Sequence, residues 1–104
     1  MKAIIDGKRY DTDTAEEIAY FDNGLPASDF SEMHETLYRT VKGAFFLCGG
    51  GGPMTKYAEA AAGGGWIGGG HITPLTKEET KQWLERHNEV DTLEILFENA
   101  IEDA

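Results

Sequence analysis

The sequence predicts an α+β domain, a small antiparallel sheet built from hairpins and packed against a short N-terminal helix and two C-terminal helices. Three observations predict it. Asp6-Gly7 separates two short strand-like runs, as in a tight hairpin. Glu35–Cys48 sets an alternating segment against a continuous apolar one across Lys42-Gly43. After Thr76 the apolar spacing becomes helical, with a capping pattern at its start.

In chain order, Lys2–Ile5 and Lys8–Tyr10 read as two strands joined by a type I′ turn, because Asp-Gly tolerates positive φ. Asp13 with Glu16, or Thr14 with Glu17, suits a capping box, and Ala15, Ile18 and Phe21 fall near one helical face. A short helix is therefore expected to about Phe21, stopped by Asn23-Gly24 and Pro26. From Glu35 to Val41, Leu37 and Val41 lie on one side of a half-buried strand and Thr36, Tyr38 and Thr40 on the other. Ala44–Cys48 is short and apolar, as a central strand is.

Ten of the thirteen glycines lie between Gly49 and Gly70, so this region reads as loops or bulged strands. Trp66 and Ile67 are expected to cover one edge of the core, with His71–Thr73 as a last strand ending at Pro74. Thr76 and Glu79 form a capping box for a helix to about His87. Asp91 and Glu94 repeat the pattern, and Leu93, Leu96, Phe97, Ala100 and Ile101 complete an amphipathic helix reaching about residue 102. The 104 residues fit a single domain, with a glycine-rich loop region at about 49–70 and acidic helices at about 76–102.

Nineteen acids stand against nine bases, a net charge of −10 that repels nucleic-acid phosphates and attracts basic protein surfaces. The stretch from Lys77 to Ala104 holds nine of the acids and three bases, whereas the glycine-rich middle carries only Lys56 and Glu59. The candidate partner-binding surface is therefore Glu78, Glu79, Glu85, Glu89, Asp91, Glu94 and Glu98, with Glu94 and Glu98 on one helical row and Glu78, Glu85 and Glu89 on another. No run of about 18 apolar residues exists for a membrane span, and the opening MKAIIDGKRY has no apolar signal core. The expected location is the cytoplasm, which fits a single, non-disulfide cysteine, Cys48, read as a buried thiol.

Signals for chemistry are sparse. Gly63-x-Gly65-x-x-Gly68 matches the dinucleotide fingerprint in letters, but His71-Ile72-Thr73-Pro74 follows where a helix is needed. His34, His71, His87 and Cys48 lack the close spacing of zinc ligands, and the apolar setting of Cys48 raises a thiol pKa rather than activating it. No catalytic residue, cofactor or metal is expected.

Lys8-Arg9-Tyr10-Asp11-Thr12-Asp13-Thr14-Ala15, Glu35-Thr36-Leu37-Tyr38-Arg39-Thr40, Gly52-Pro53-Met54-Thr55-Lys56-Tyr57-Ala58 and Thr73-Pro74-Leu75-Thr76 resemble a family of small proteins from phages and mobile elements. That family is similar in character to the acidic anti-CRISPR proteins, which bind Cas proteins and block DNA loading or cleavage. The match spans about residues 8–87, and the tetraglycine Gly49–Gly52 and the stretch after His87 depart from it. The resemblance implies a non-enzymatic inhibitor in a bacterial host cytoplasm, whose partner is a Cas effector with a basic nucleic-acid-binding surface. The alternative is a mobile-element interaction module that uses the Leu93–Ile101 face to bind a protein or form a homodimer.

Overall fold

A computed structural model describes all 104 residues. The chain opens with β1 (Lys2–Ile5) and β2 (Lys8–Asp11), paired around Asp6 at φ 51° and Gly7 at φ 75°. Both values are those a type I′ turn demands. Then come β3 (Glu16–Asp22), β4 (Met33–Arg39), β5 (Phe45–Gly51), β6 (Glu59–Ala60), β7 (Trp66–Ile67), β8 (Gly69–Leu75), α1 (Lys77–Arg86) and α2 (Val90–Phe97), with a 3₁₀ turn at Glu98–Ala100. The main sheet is antiparallel in the order β3-β4-β5-β8, and β6 pairs with β7 as a separate small hairpin.

The mixed α+β class with antiparallel sheets is as expected, but the N-terminal helix is absent. Residues Glu16–Asp22 form the edge strand β3 instead. The capping residues serve a turn: the Asp13 amide donates to Asp11 Oδ1 at 2.9 Å, and the Ala15 amide donates to the Asp11 carbonyl at 3.1 Å. A bulge between Glu17 and Ala19 breaks the two-residue alternation, which is why Ile18, Ala19 and Phe21 all reach the same core and imitate a helical face. Ala15 goes to the opposite side of the sheet.

Alternation along β4 and β5 divides the core in two. Leu37, Phe45 and Leu47 face the helices and pack with Trp83 and Leu84, while Phe46 faces the β1–β2 hairpin and packs with Tyr10 and Ile72. The result is three layers, hairpin on sheet on helices. The β4–β5 hairpin forms as expected with shifted bounds: Val41 lies in the turn, fully exposed, because Thr40 closes the loop on Ala44 through its amide and its Oγ1. Pro74 is tolerated inside β8 because β8 is an edge strand.

Much of the glycine-rich region is strand rather than loop. Gly49–Gly51 end β5 and Gly69–Gly70 begin β8. At Gly49 a Cβ would stand 2.0 Å from Tyr57 Oη, so glycine there admits the Tyr57 ring against the sheet. Trp66 and Ile67 do not cover the core. Both are exposed on the β6–β7 hairpin.

The Thr76 capping box forms as predicted: Thr76 Oγ1 accepts from the Glu79 amide at 3.1 Å, and Glu79 Oε1 accepts from the Thr76 amide at 2.9 Å. The second box does not. Asn88 adopts φ 58° after α1, and α2 starts at Val90 with Glu89 in the cap position and no side-chain cap bond. α2 also ends at Phe97, short of the expected residue 102, so Ala100 and Ile101 lie outside it and only Leu93, Leu96 and Phe97 pack against the core.

Candidate functional site

The seven acids singled out in the sequence do not form one surface. Glu78 is tied to Lys81 at 3.0 Å, and Glu79 is spent on the capping box. Glu89, which belongs to the start of α2, leaves the α1 row on which Glu78 and Glu85 lie. Asp91 is in the first turn of α2, where a negative charge favours the helix dipole. Glu85, Glu94 and Glu98 do converge. With Asp103 they rim a groove of about 610 Å³ between α1 and the C-terminal segment, lined by Leu93 and Phe97 and answered by one base, Lys81. Here the carboxylates are exposed, beside side chains that stay only partly covered by the core.

A second arrangement was not legible in the sequence. Glu35 lies on β4, directly opposite Gly49 of β5, which in turn faces His71 of β8. Its side chain is 1% exposed, yet it is ionised and fully engaged. Tyr57 Oη donates to Glu35 Oε2, Trp83 Nε1 donates to Oε1 at 2.9 Å, and Lys56 Nζ stands 2.6 Å from Oε2. Burial by itself pushes the Glu35 carboxyl up. The hydrogen bonds from Lys56, Tyr57 and Trp83 outweigh it and hold the group below its ordinary range. Tyr57 moves the other way, its phenol raised by burial and by the bond to Glu35.

This centre joins three parts of the chain: the sheet through Glu35, the segment after β5 through Lys56 and Tyr57, and α1 through Trp83. Both carboxylate oxygens are committed and no face is open to solvent, so Glu35 is a structural tie and not a base for an external substrate. One signal for it is present in the sequence, Lys56 and Tyr57 adjacent in a stretch whose only other charge is Glu59, but no spacing rule connects them to residues 35 and 83.

His34 and Cys48 lie on one face of the sheet, where they line a common depression, while His71 packs on Tyr57 and His87 on Trp83, and no three His, Cys, Asp or Glu side chains gather as a metal would need. His34 on β4 pairs with Glu32 at 2.9 Å, and His71 leans on the Tyr57 ring with centroids 4.7 Å apart. His87 caps α1, stacked on Phe21 at 3.8 Å and edge-on to Trp83 at 4.6 Å, with its Nε2 buried and unpartnered. Cys48 is only half-buried, its Sγ 3.7 Å from Met1 Sδ, where a fully buried thiol was expected. The Gly63–Gly68 motif spans the β6–β7 turn and β7, with Gly64 and Gly65 at positive φ, and no helix follows to receive a pyrophosphate. No helix is long and apolar enough to cross a membrane. Comparison with known protein families, with characterised proteins and with solved structures finds no match.

Proposed function

We propose that this chain is a non-enzymatic inhibitor of phage or mobile-element origin that binds a CRISPR-Cas effector through its acidic surface and blocks nucleic-acid loading. The observation that carries the reading is the groove between α1 and the C-terminal segment, where Glu85, Glu94, Glu98 and Asp103 surround a partly apolar lining. Such a rim suits Lys and Arg side chains, whose methylene stems rest on apolar surface while the charged head meets a carboxylate. The net charge of −10 favours approach to a basic channel and disfavours direct contact with nucleic acid. The CRISPR effector as the specific partner rests on the family resemblance.

The test is a pulldown of purified Cas effectors followed by competition with labelled guide or target nucleic acid. The double variant Glu94→Lys/Glu98→Lys is expected to bind about tenfold more weakly or worse, a loss of about 1.4 kcal/mol. Affinity is also expected to fall as salt rises from low to physiological, where exposed charges are screened beyond about 8 Å. A complex insensitive to both changes, or no binding to any effector, sinks the reading.

A second reading is favoured by one feature of α2. None of its residues is fully buried, and Ile95 is 81% exposed. An assembly module would use this apolar remainder to pair with a protein or a second copy of the chain. Sedimentation equilibrium distinguishes it: self-association lost in Ile95→Asp, at a position that contributes nothing to the core, supports assembly.

A further inference from the structure

On the side of α1 away from the acidic groove, a cleft of about 330 Å³ opens against β8. Its walls are Leu47, Leu75 and Trp83, three members of the helix-side core or its margin. Its polar lining is Lys56, His71, Thr73, Glu79, Gln82 and Arg86. In a chain with only nine Lys and Arg, two of them and a histidine meet at this one opening.

What matters is which of these groups are already committed. Of the nearby carboxylates, Glu79 gives Oε1 to the Thr76 amide while its Oε2 makes no bond, and the Glu35 carboxylate beneath Lys56 is filled by Tyr57, Trp83 and Lys56 itself. Most of the donors are uncommitted. Lys56 keeps hydrogens beyond the one directed at Glu35, and its side chain is 55% exposed. The side chains of His71, Thr73, Gln82 and Arg86 make no hydrogen bond or ion pair within the protein, whereas those of Lys56 and Glu79 do. Apolar walls with free donors on the rim, one of them a guanidinium fork matched to a carboxylate, describe a site for an amphipathic anion.

We propose that the cleft binds a small organic carboxylate with an apolar body, its carboxylate on Arg86 and Lys56 and its body against Leu75 and Trp83. The site lies on a different face of α1 from the acidic groove and does not depend on the inhibitor reading.

The experiment is a titration of the full chain, followed by ¹H–¹⁵N correlation spectra, with benzoate as probe, benzylamine as the charge-reversed control and inorganic phosphate as the control without an apolar body. Benzoate is expected to give saturable shifts in the millimolar range at the Thr73, Gln82 and Arg86 amides and the Trp83 indole. Arg86→Gln, on the exposed side of α1, is expected to weaken benzoate at least tenfold while the remaining spectrum shows the fold intact. Benzylamine is expected to give no saturable shift there. Absence of saturation with benzoate, equal affinity in Arg86→Gln, or binding of phosphate in preference to benzoate each overturns the proposal.

Discussion

Glu35 is held by three side chains, those of Lys56, Tyr57 and Trp83. Replacing it with Leu keeps volume but strands the Tyr57 hydroxyl and the Trp83 indole N–H in the interior, each costing about 1–3 kcal/mol when unpaired. Lys56 loses less, since its ammonium is already half in water. We therefore expect Glu35→Leu to destabilise the fold by about 2–5 kcal/mol in urea unfolding, and Tyr57→Phe, which removes one of three donors, by about 1–2 kcal/mol. Equal stability of Glu35→Leu and the parent would show that the centre is dispensable. In the sequence Glu35 is one acid among nineteen and opens an alternating strand, which fixes its face but not its partners. They stand 21, 22 and 48 positions away, and only the folding of the chain after β5 and of α1 brings them to it.

Elements with local causes were legible and those with distant causes were not. The Asp6-Gly7 turn and the α1 cap depend on residues within a few positions of one another, and both form as read. At α1 we expect Thr76→Ala to cost about 1 kcal/mol of stability and Thr76→Ser to restore most of it, measured by thermal unfolding, because the hydroxyl satisfies an otherwise free Glu79 amide. If both variants match the parent, the cap contributes nothing. β3 failed as a reading because its hydrogen bonds come from β4 across an intervening loop, and its bulge disguises a strand's period. α2 begins earlier than its Asp91 signal because the left-handed Asn88 and the bond from the Glu89 amide to the Leu84 carbonyl set where a new helix can start.

For the whole molecule the core is thin, with 13 of 104 residues buried, so titration of a single interior group is expected to register in overall stability. His87 is held below its ordinary value of 6.5 by burial and then by Arg86, with Lys56 adding to the effect and Glu35 and Glu89 opposing it. The unfolded chain therefore binds the His87 proton more readily than the folded one. This contribution is complete above about pH 6.5 and is lost as pH falls through the lower folded value. Glu35 behaves alike in a lower window, its contribution present above about 4.5 and lost beneath it. Urea midpoints measured from pH 8 to 2 are expected to fall in two stages, and His87→Phe, which keeps the stacking on Phe21, is expected to abolish the first stage alone. A single decline unchanged by that substitution would assign the sensitivity elsewhere. Composition and short-range pattern determined by themselves that this chain is acidic and of the α+β class, with a hairpin at its start, the β4–β5 hairpin in its sheet and a capped helix near its end, since charge, turn chemistry and capping act over a few residues. Tertiary structure alone decided that residues 16–22 are a strand, that the acids of the C-terminal helices divide between a cap, an ion pair and one groove, and that Glu35 is buried. Strand pairing, the direction a helix faces and desolvation are set by neighbours remote in the chain.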